Sequence, residues 1–483
     1  MQFTSFAFLI YLPTVFAIYW LLRNTVRLQN LFVVACSCLF YAWADWHYLF
    51  IIVGYTAVSF LSGILLERTE TPWKRKLILW SIVAANIGVL GIYKYFDFFV
   101  ENFNRFFLAA GVPLDWPTLN LLLPVGISFF TFQALGYTVD VYQRKIGPEH
   151  DVVAFFAFMT FFPQILAGPI ERASAMLPQF LAKRRFTYTK GVEGMKYILW
   201  GLFKKMVIAD NCGVVVDNVF NGYDTAEPLP LLIASVMFTF QIYCDFSGYS
   251  TIAIGCGKLL GIELSENFRL PLLSRNVKEI WSRWHITLYA WFRDYVYYPL
   301  GGSRRGMAIT IVNIMIVFAL SGLWHGAGWH YIFWGVYCGL GVVAYTLVQK
   351  GRGRKFLASF SPQLCVVMTF GWFVVGFVLF RCQSMSMFFS VLSGIFSTEL
   401  IPPYSFDINS IAGGYIIPTL VYVTIFMIIE IITRHRPYPL SFPDSGIFAG
   451  RSGTVVKWGL LWLLAMATFL LGGAESDFIY FRF

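Results

Sequence analysis

Along this chain the apolar positions come in long continuous runs rather than in alternation. Runs extend from Phe3 to Leu22, Leu31 to Leu66, Leu77 to Tyr93, Leu119 to Val139, Val152 to Ile170, Tyr197 to Val216 and Leu229 to Ile262. Further runs cover Met307–Leu320, Tyr331–Val348, Gln363–Phe380, Ile411–Ile432 and Trp458–Leu471. At roughly 20 residues per crossing, this pattern predicts an all-α polytopic bundle of about eleven to thirteen membrane helices, some short or re-entrant. Continuous runs argue against a membrane β-barrel, whose strands alternate. Pro124, Pro163 and Pro169 fall inside or beside these runs. Proline frees backbone groups that protein or water must satisfy, so broken helices lining a cavity are expected there. The sequence shows no internal repeat, and residues 1–483 read as one membrane domain.

Composition agrees with that reading. The chain is 58% hydrophobic, 19% aromatic and 13% charged, with a mean hydropathy of +0.65. An average soluble domain is about 25% charged, so this sequence cannot cover a globular surface with polar groups. The net charge of +10 does not point to nucleic acid. It falls in turns, and Lys and Arg mark the cytoplasmic side of membrane proteins. Arg304 and Arg305 form one basic turn, Lys350, Arg352, Arg354 and Lys355 a second, and Arg434, Arg436, Arg451 and Lys457 flank a third. The stretch Gln383–Ser410 holds Glu399 and Asp407 without Lys or Arg, and is expected outside. The alternation sends Met307–Leu320 outward, so the turn after it opens to the outer side, as does the aromatic ending Phe478–Phe483. The N-terminal segment lacks a basic region and a small-residue cleavage site, and reads as the first membrane helix. The eight cysteines lie mostly in apolar segments and form no CxxC, which supports neither a disulfide framework nor a zinc finger.

That outward turn carries the sharpest chemical signal. His325 sits in Ser321-Gly322-Leu323-Trp324-His325-Gly326-Ala327-Gly328-Trp329-His330. A titratable side chain between membrane-length apolar runs is held there at a cost, and imidazole suits proton transfer near neutral pH. A second segment, Glu279–Leu288 continuing to Gly302, is crowded with Trp and Tyr and holds His285, Arg283 and Arg293. It fits an amphipathic helix at the cytoplasmic interface. A histidine in an apolar bundle also serves as a structural group bonded to a carbonyl, and the residues alone leave that open for both. His47 and His330 read as interfacial, and His150 and His435 fall in polar loops. His325 and His330 are five apart, about 140° around a helix, and no HExxH occurs, so a metal site is disfavoured. Asp245, in Gln241–Ser250, reads as structural, a helix N-cap or an ion partner to Arg or Lys, or as pocket-lining. Phe161–Arg172, with two prolines and Gln164, reads as a broken helix beside a cavity.

Five segments in order resemble the membrane-bound O-acyltransferase superfamily, and within it the alginate O-acetylation subfamily. They are Pro124–Gln133, Phe161–Pro169, Asp245–Ser250, the Trp284-His285…Arg293-Asp294-Tyr295…Gly301-Gly302 run, and Leu323-Trp324-His325-Gly326. Thr251 and Cys338 depart from the pattern, where an acidic residue and a histidine are expected. The resemblance implies an O-acyltransferase with His325 as catalytic base and His285 as its partner. It implies substrate-binding roles for Trp284, Trp324, Arg293, Asp294, Tyr298 and Asp245. It implies a tunnel through which a cytoplasmic acyl thioester, acetyl-CoA, meets an acceptor outside the inner membrane of a bacterium. No bound cofactor or metal is expected. The acetyl group would reach an alginate-like exopolysaccharide, cellulose or peptidoglycan through a periplasmic or extracellular O-acetyltransferase partner. Tyr480 would be an acyl relay or an interfacial aromatic anchor. Two other readings stay open: D-alanyl transfer to teichoic acid from a carrier protein, and a transporter, flippase or scaffold without covalent chemistry.

Overall fold

The computed structural model describes residues 1–43, 45–166, 168–350, 353, 359–397, 414–438, 440–443, 445–474, 476, 478 and 479. No strand occurs among them. Among the described residues, eight helices are long and apolar enough to cross a membrane: Tyr48–Arg68, Pro72–Ala109, Pro228–Leu259, Met307–His325, Trp329–Lys350, Pro362–Arg381, Ile416–Thr433 and Gly450–Leu470. Three shorter apolar helices, Phe6–Leu21, Val26–Ala42 and Met385–Ile395, join them. The protein is an all-α multi-pass membrane protein.

Helices break where the sequence chemistry directs. The apolar run Leu119–Val139 becomes helical only at Ile127. Pro124 lacks an amide donor, and Gly126 takes a left-handed φ of 76° immediately before the helix. The run Val152–Ile170 bends at Phe161, which has non-helical torsions, and resumes for the single turn Phe162–Ile165 with Pro163 in its first turn. The expected broken helix is therefore present. Three π-turns also occur among the described residues: Gly91–Tyr95 and Phe203–Ala209 inside otherwise continuous helices, and Arg293–Tyr297 at the end of the Ile286–Phe292 helix.

The Pro228–Leu259 helix is the spine of the bundle. It is 78% buried over its most apolar window, against 11% for the Gly450–Leu470 helix. A helix that is apolar on every side belongs inside. Glycines let its backbone approach the Tyr188–Leu202 helix closely. A Cβ at Gly255 would lie 2.6 Å from the Gly194 carbonyl oxygen, and one at Gly201 would lie 2.7 Å from that of Gly248. The outer helices present large apolar residues outward, including Trp462 and Leu463, as a lipid-facing surface requires.

A buried ion cluster ties the C-terminal stretch to this spine. The Lys205 ammonium lies 2.7 Å from Asp210 and 2.9 Å from Asp245. It also donates to the Ser476 carbonyl at 2.9 Å and to its hydroxyl at 3.2 Å. The Ser476 hydroxyl donates to Asp210, and the Ile479 amide donates to Asp245, both at 2.6 Å. Phe478, fully buried, packs its ring 4.4 Å from that of Tyr249 and 5.8 Å from that of Phe246.

Candidate active site

His325 is the last residue of the Met307–His325 helix, and the next helix begins at Trp329. The turn is tight because glycine lines it. A Cβ at Gly322 would collide with the Tyr331 carbonyl, one at Gly335 with the Phe318 carbonyl, and one at Gly326 with the Tyr331 ring. The two helices therefore cross almost backbone to backbone beside the histidine. The His325 ring is buried against the rings of Trp334 at 5.0 Å and Phe380 at 5.4 Å. The last carbonyls of a helix lack intrahelical partners. Here side chains from the Pro72–Ala109 helix supply them. Lys94 Nζ donates to the Trp324 carbonyl at 2.7 Å and the His325 carbonyl at 3.2 Å, and Tyr95 Oη donates to that of Leu323 at 2.9 Å.

His285 lies between the Val277–Arg283 and Ile286–Phe292 helices, with a left-handed backbone at φ 44° and ψ 51°. A non-glycine residue in that region is strained and persists only where its surroundings hold it. Asn267 does the holding. Its carbonyl accepts the Ile286 amide at 3.0 Å, and its Oδ1 accepts the Thr287 amide at 3.2 Å and the Thr287 hydroxyl at 2.9 Å. His285 Nδ1 lies 3.2 Å from the same Oδ1. A backbone amide can only donate, so this atom is an oxygen acceptor and the shared proton resides on Nδ1. Nε2 then carries the lone pair, and it has no hydrogen-bond partner among the described residues.

The two imidazoles flank one indole. Trp324 has its ring 5.8 Å from that of His285 and 4.8 Å from that of His325. Two cavities converge on this group. One is lined by Lys94, Pro124–Phe129, Leu166, Trp324 and His325. The other is lined by Trp281, Trp284, His285, Tyr289, Ser321 and His325, with neighbouring apolar residues. His325 is the residue they share. Trp284, buried against Phe373 and Phe377, belongs to the second.

The remaining residues expected at the site lie apart from this junction. Arg293 and Asp294 occupy the Arg293–Tyr297 π-turn and line neither histidine cavity. Asp294 pairs with Arg293 at 2.7 Å and also with Arg172. Burial opposes ionisation of Asp294, but the bonds from Arg293 and Arg172 outweigh it and hold the carboxyl below its usual range. Tyr298 is 56% exposed at the end of the same turn, beside Arg293. Asp245 serves the Lys205 cluster, the ion-pair role its position allowed. Tyr480 lies outside the described residues. No group of three or more His, Cys, Asp or Glu placed to hold a metal occurs among the described residues.

Reading the sequence missed Lys94, Tyr95 and Asn267. Lys94 had a signal: a lysine closing the apolar run Leu77–Tyr93 meets the same cost argument applied to His325. Asn267 lies in an ordinary loop segment, and no local pattern announces it.

Fold and site together define a multi-pass membrane protein whose interior cavities meet at a buried, base-capable histidine. Residues 143–392 match the family model described as MBOAT, membrane-bound O-acyltransferase family. The chain is 31% identical over 497 residues to the protein named probable alginate O-acetylase in Pseudomonas putida, covering all of both chains. It is 34% identical over 402 residues to the protein of that name in Pseudomonas aeruginosa, covering 82% of this chain and 75% of that one. It is 30% identical over 520 residues to the peptidoglycan O-acetyltransferase of Helicobacter pylori, covering 98% and 95%. The chain belongs to the membrane-bound O-acyltransferase family and is an O-acyltransferase.

Proposed function

We propose that this protein carries an acetyl group from a cytoplasmic thioester, acetyl-CoA, to an acceptor hydroxyl on the outer side of the inner membrane, for O-acetylation of an extracytoplasmic polysaccharide. The observation that carries the reading is the place of His325, on the wall of both cavities. Acyl transfer to a hydroxyl needs a base at the attacking oxygen and donors at the carbonyl oxygen. A base standing where two cavities meet serves a donor entering by one and an acceptor entering by the other. The cavity holding His285 lies by the basic, aromatic Val277–Tyr297 segment, which suits the cytoplasmic interface and a thioester donor. The cavity holding Lys94 then serves the acceptor. His285, with its lone pair on Nε2, accepts an N–H of the donor's pantetheine arm and so positions the thioester. The relatives' names make alginate-like polymer and peptidoglycan the leading substrates, reached through a periplasmic or extracellular partner.

The C-terminal stretch runs close to the two histidines. Ile479 is bonded to Asp245, and Phe478 touches Phe246, whose ring lies 4.6 Å from that of His285. Tyr480 follows directly in sequence, and we assign it as the residue that relays the acyl group outward.

The test is thiol release by the purified full chain in liposomes, supplied with acetyl-CoA or with a D-alanyl-loaded carrier protein. His325→Ala should lower release from acetyl-CoA by about 10²–10⁴-fold, the usual worth of a general base, while the protein elutes as before. Release in that variant at the wild-type rate would remove His325 as the base, and no release by the wild type with either donor would favour a transporter or scaffold. Turnover only with the carrier protein would move the assignment to D-alanyl transfer.

A further inference from the structure

We propose that Lys94 is a catalytic residue of the acyl transfer, donating a hydrogen bond to the oxygen that becomes negative in the tetrahedral adduct. The proposal rests on the acyltransfer reading above and deepens it. Lys94 lies in the Gly91–Tyr95 π-turn, and such turns recur at functional sites. It lines the same cavity as His325. Its ammonium has three N–H donors. Two end on the carbonyls of Trp324 and His325. The third is left for the cavity. The ammonium is also held 5.9 Å from the Trp324 ring centroid, which fixes its position between two bonds and a ring face.

A helix C-terminus carries partial negative charge, and a cation there is favourable. Capping alone, however, does not need a full charge on a membrane helix. Tyr95 caps the Leu323 carbonyl with a neutral hydroxyl one residue away. A lysine at the next position adds only charge and a spare donor, at a membrane cost that a neutral donor would avoid.

The acceptor hydroxyl oxygen bonds to the thioester carbonyl carbon while His325 takes the hydroxyl proton. The C=O π pair moves to oxygen, where Lys94 donates. Collapse re-forms C=O and breaks the C–S bond, and the departing thiolate takes the proton from the imidazolium. Ester and thiol result, and Lys94 keeps all its protons throughout. A donor fixed in advance beside a developing oxyanion contributes about 10²–10³-fold to kcat.

Lys94→Gln separates chemistry from capping, because its amide keeps two N–H donors for the two carbonyls but has no charge and no third donor. In the liposome thiol-release assay with acetyl-CoA, kcat should fall by about 10²-fold or more, with KM for acetyl-CoA and the unfolding midpoint little changed. Lys94→Arg, which keeps the charge, should recover activity well above Lys94→Gln. Wild-type kcat in Lys94→Gln alongside an inactive His325→Ala would overturn the role of Lys94 and leave the acyltransferase reading standing. No recovery in Lys94→Arg would also overturn it. Full activity in His325→Ala, or no turnover of acetyl-CoA by the wild type, would overturn both.

Discussion

Replacing Lys205 by methionine tests the physical account of the interior most directly. One ammonium faces two carboxylates there, at 2.7 Å and 2.9 Å, and the three side chains are 1%, 3% and 3% exposed. Lys205→Met leaves two neighbouring carboxylates with no cation between them. Removing one partner of a buried pair costs about 3–5 kcal/mol. The two bonds to Ser476 go with it, adding about 1 kcal/mol. The expected loss is therefore about 4–6 kcal/mol. Asp210→Asn behaves differently, because it leaves one cation with one carboxylate, and the amide oxygen still accepts. Its cost should stay near 1–3 kcal/mol, roughly that of a charged hydrogen bond. Reversible unfolding of the full chain in mixed micelles, titrated with a denaturing detergent, gives both values. Limited proteolysis should cut beyond Leu471 sooner in Lys205→Met than in wild type, since Ser476 loses its anchor. The reasoning fails if the two substitutions cost the same, or if Asp210→Asn is the more damaging.

Gly335→Ala should destabilise the protein and lower turnover, because the new Cβ collides with the Phe318 carbonyl and pushes apart the helices that present His325; unfolding and kcat measured together check this, and an unchanged kcat would refute it. Asp294 has a depressed folded pKa, so its ion pairs stabilise the protein above the unfolded value of about 3.9 and lose that effect as pH falls below it. The stability difference between wild type and Asp294→Asn should thus shrink on acidification below about pH 4, as read by unfolding against pH. Mass spectrometry of the C-terminal peptide under turnover should reveal an added acyl group on Tyr480; an unmodified peptide in turning-over enzyme would remove it as a relay.

How much was legible in the sequence follows from the scale of each interaction. Runs of apolar residues report burial in lipid over many positions at once, so the helices and their breaks at Pro124 and Pro163 could be read directly. His325 could be read because a titratable group in such a run is expensive in isolation. Asn267 could not, since its role arises from three bonds to residues 19 and 20 positions on and from the strained backbone it supports. The Lys205 cluster was half visible. Asp245 invited an ionic partner, but nothing local says that the partner lies 40 residues upstream or that Ser476 completes it. Arg293 and Tyr298 show where closeness in sequence stops informing. They stand close in sequence to His285, yet the π-turn carries them out of its cavity.

The π-turns holding Lys94 and Lys205 have an evolutionary meaning. A π-turn stores one residue more than the α-helix around it. Deleting a residue from either would leave an unbroken helix while rotating everything beyond it by about 100°. The charged groups would swing off their partners with no change in composition. Single-codon insertions and deletions at these turns are therefore a route by which related chains can gain or lose a polar site within an intact membrane scaffold.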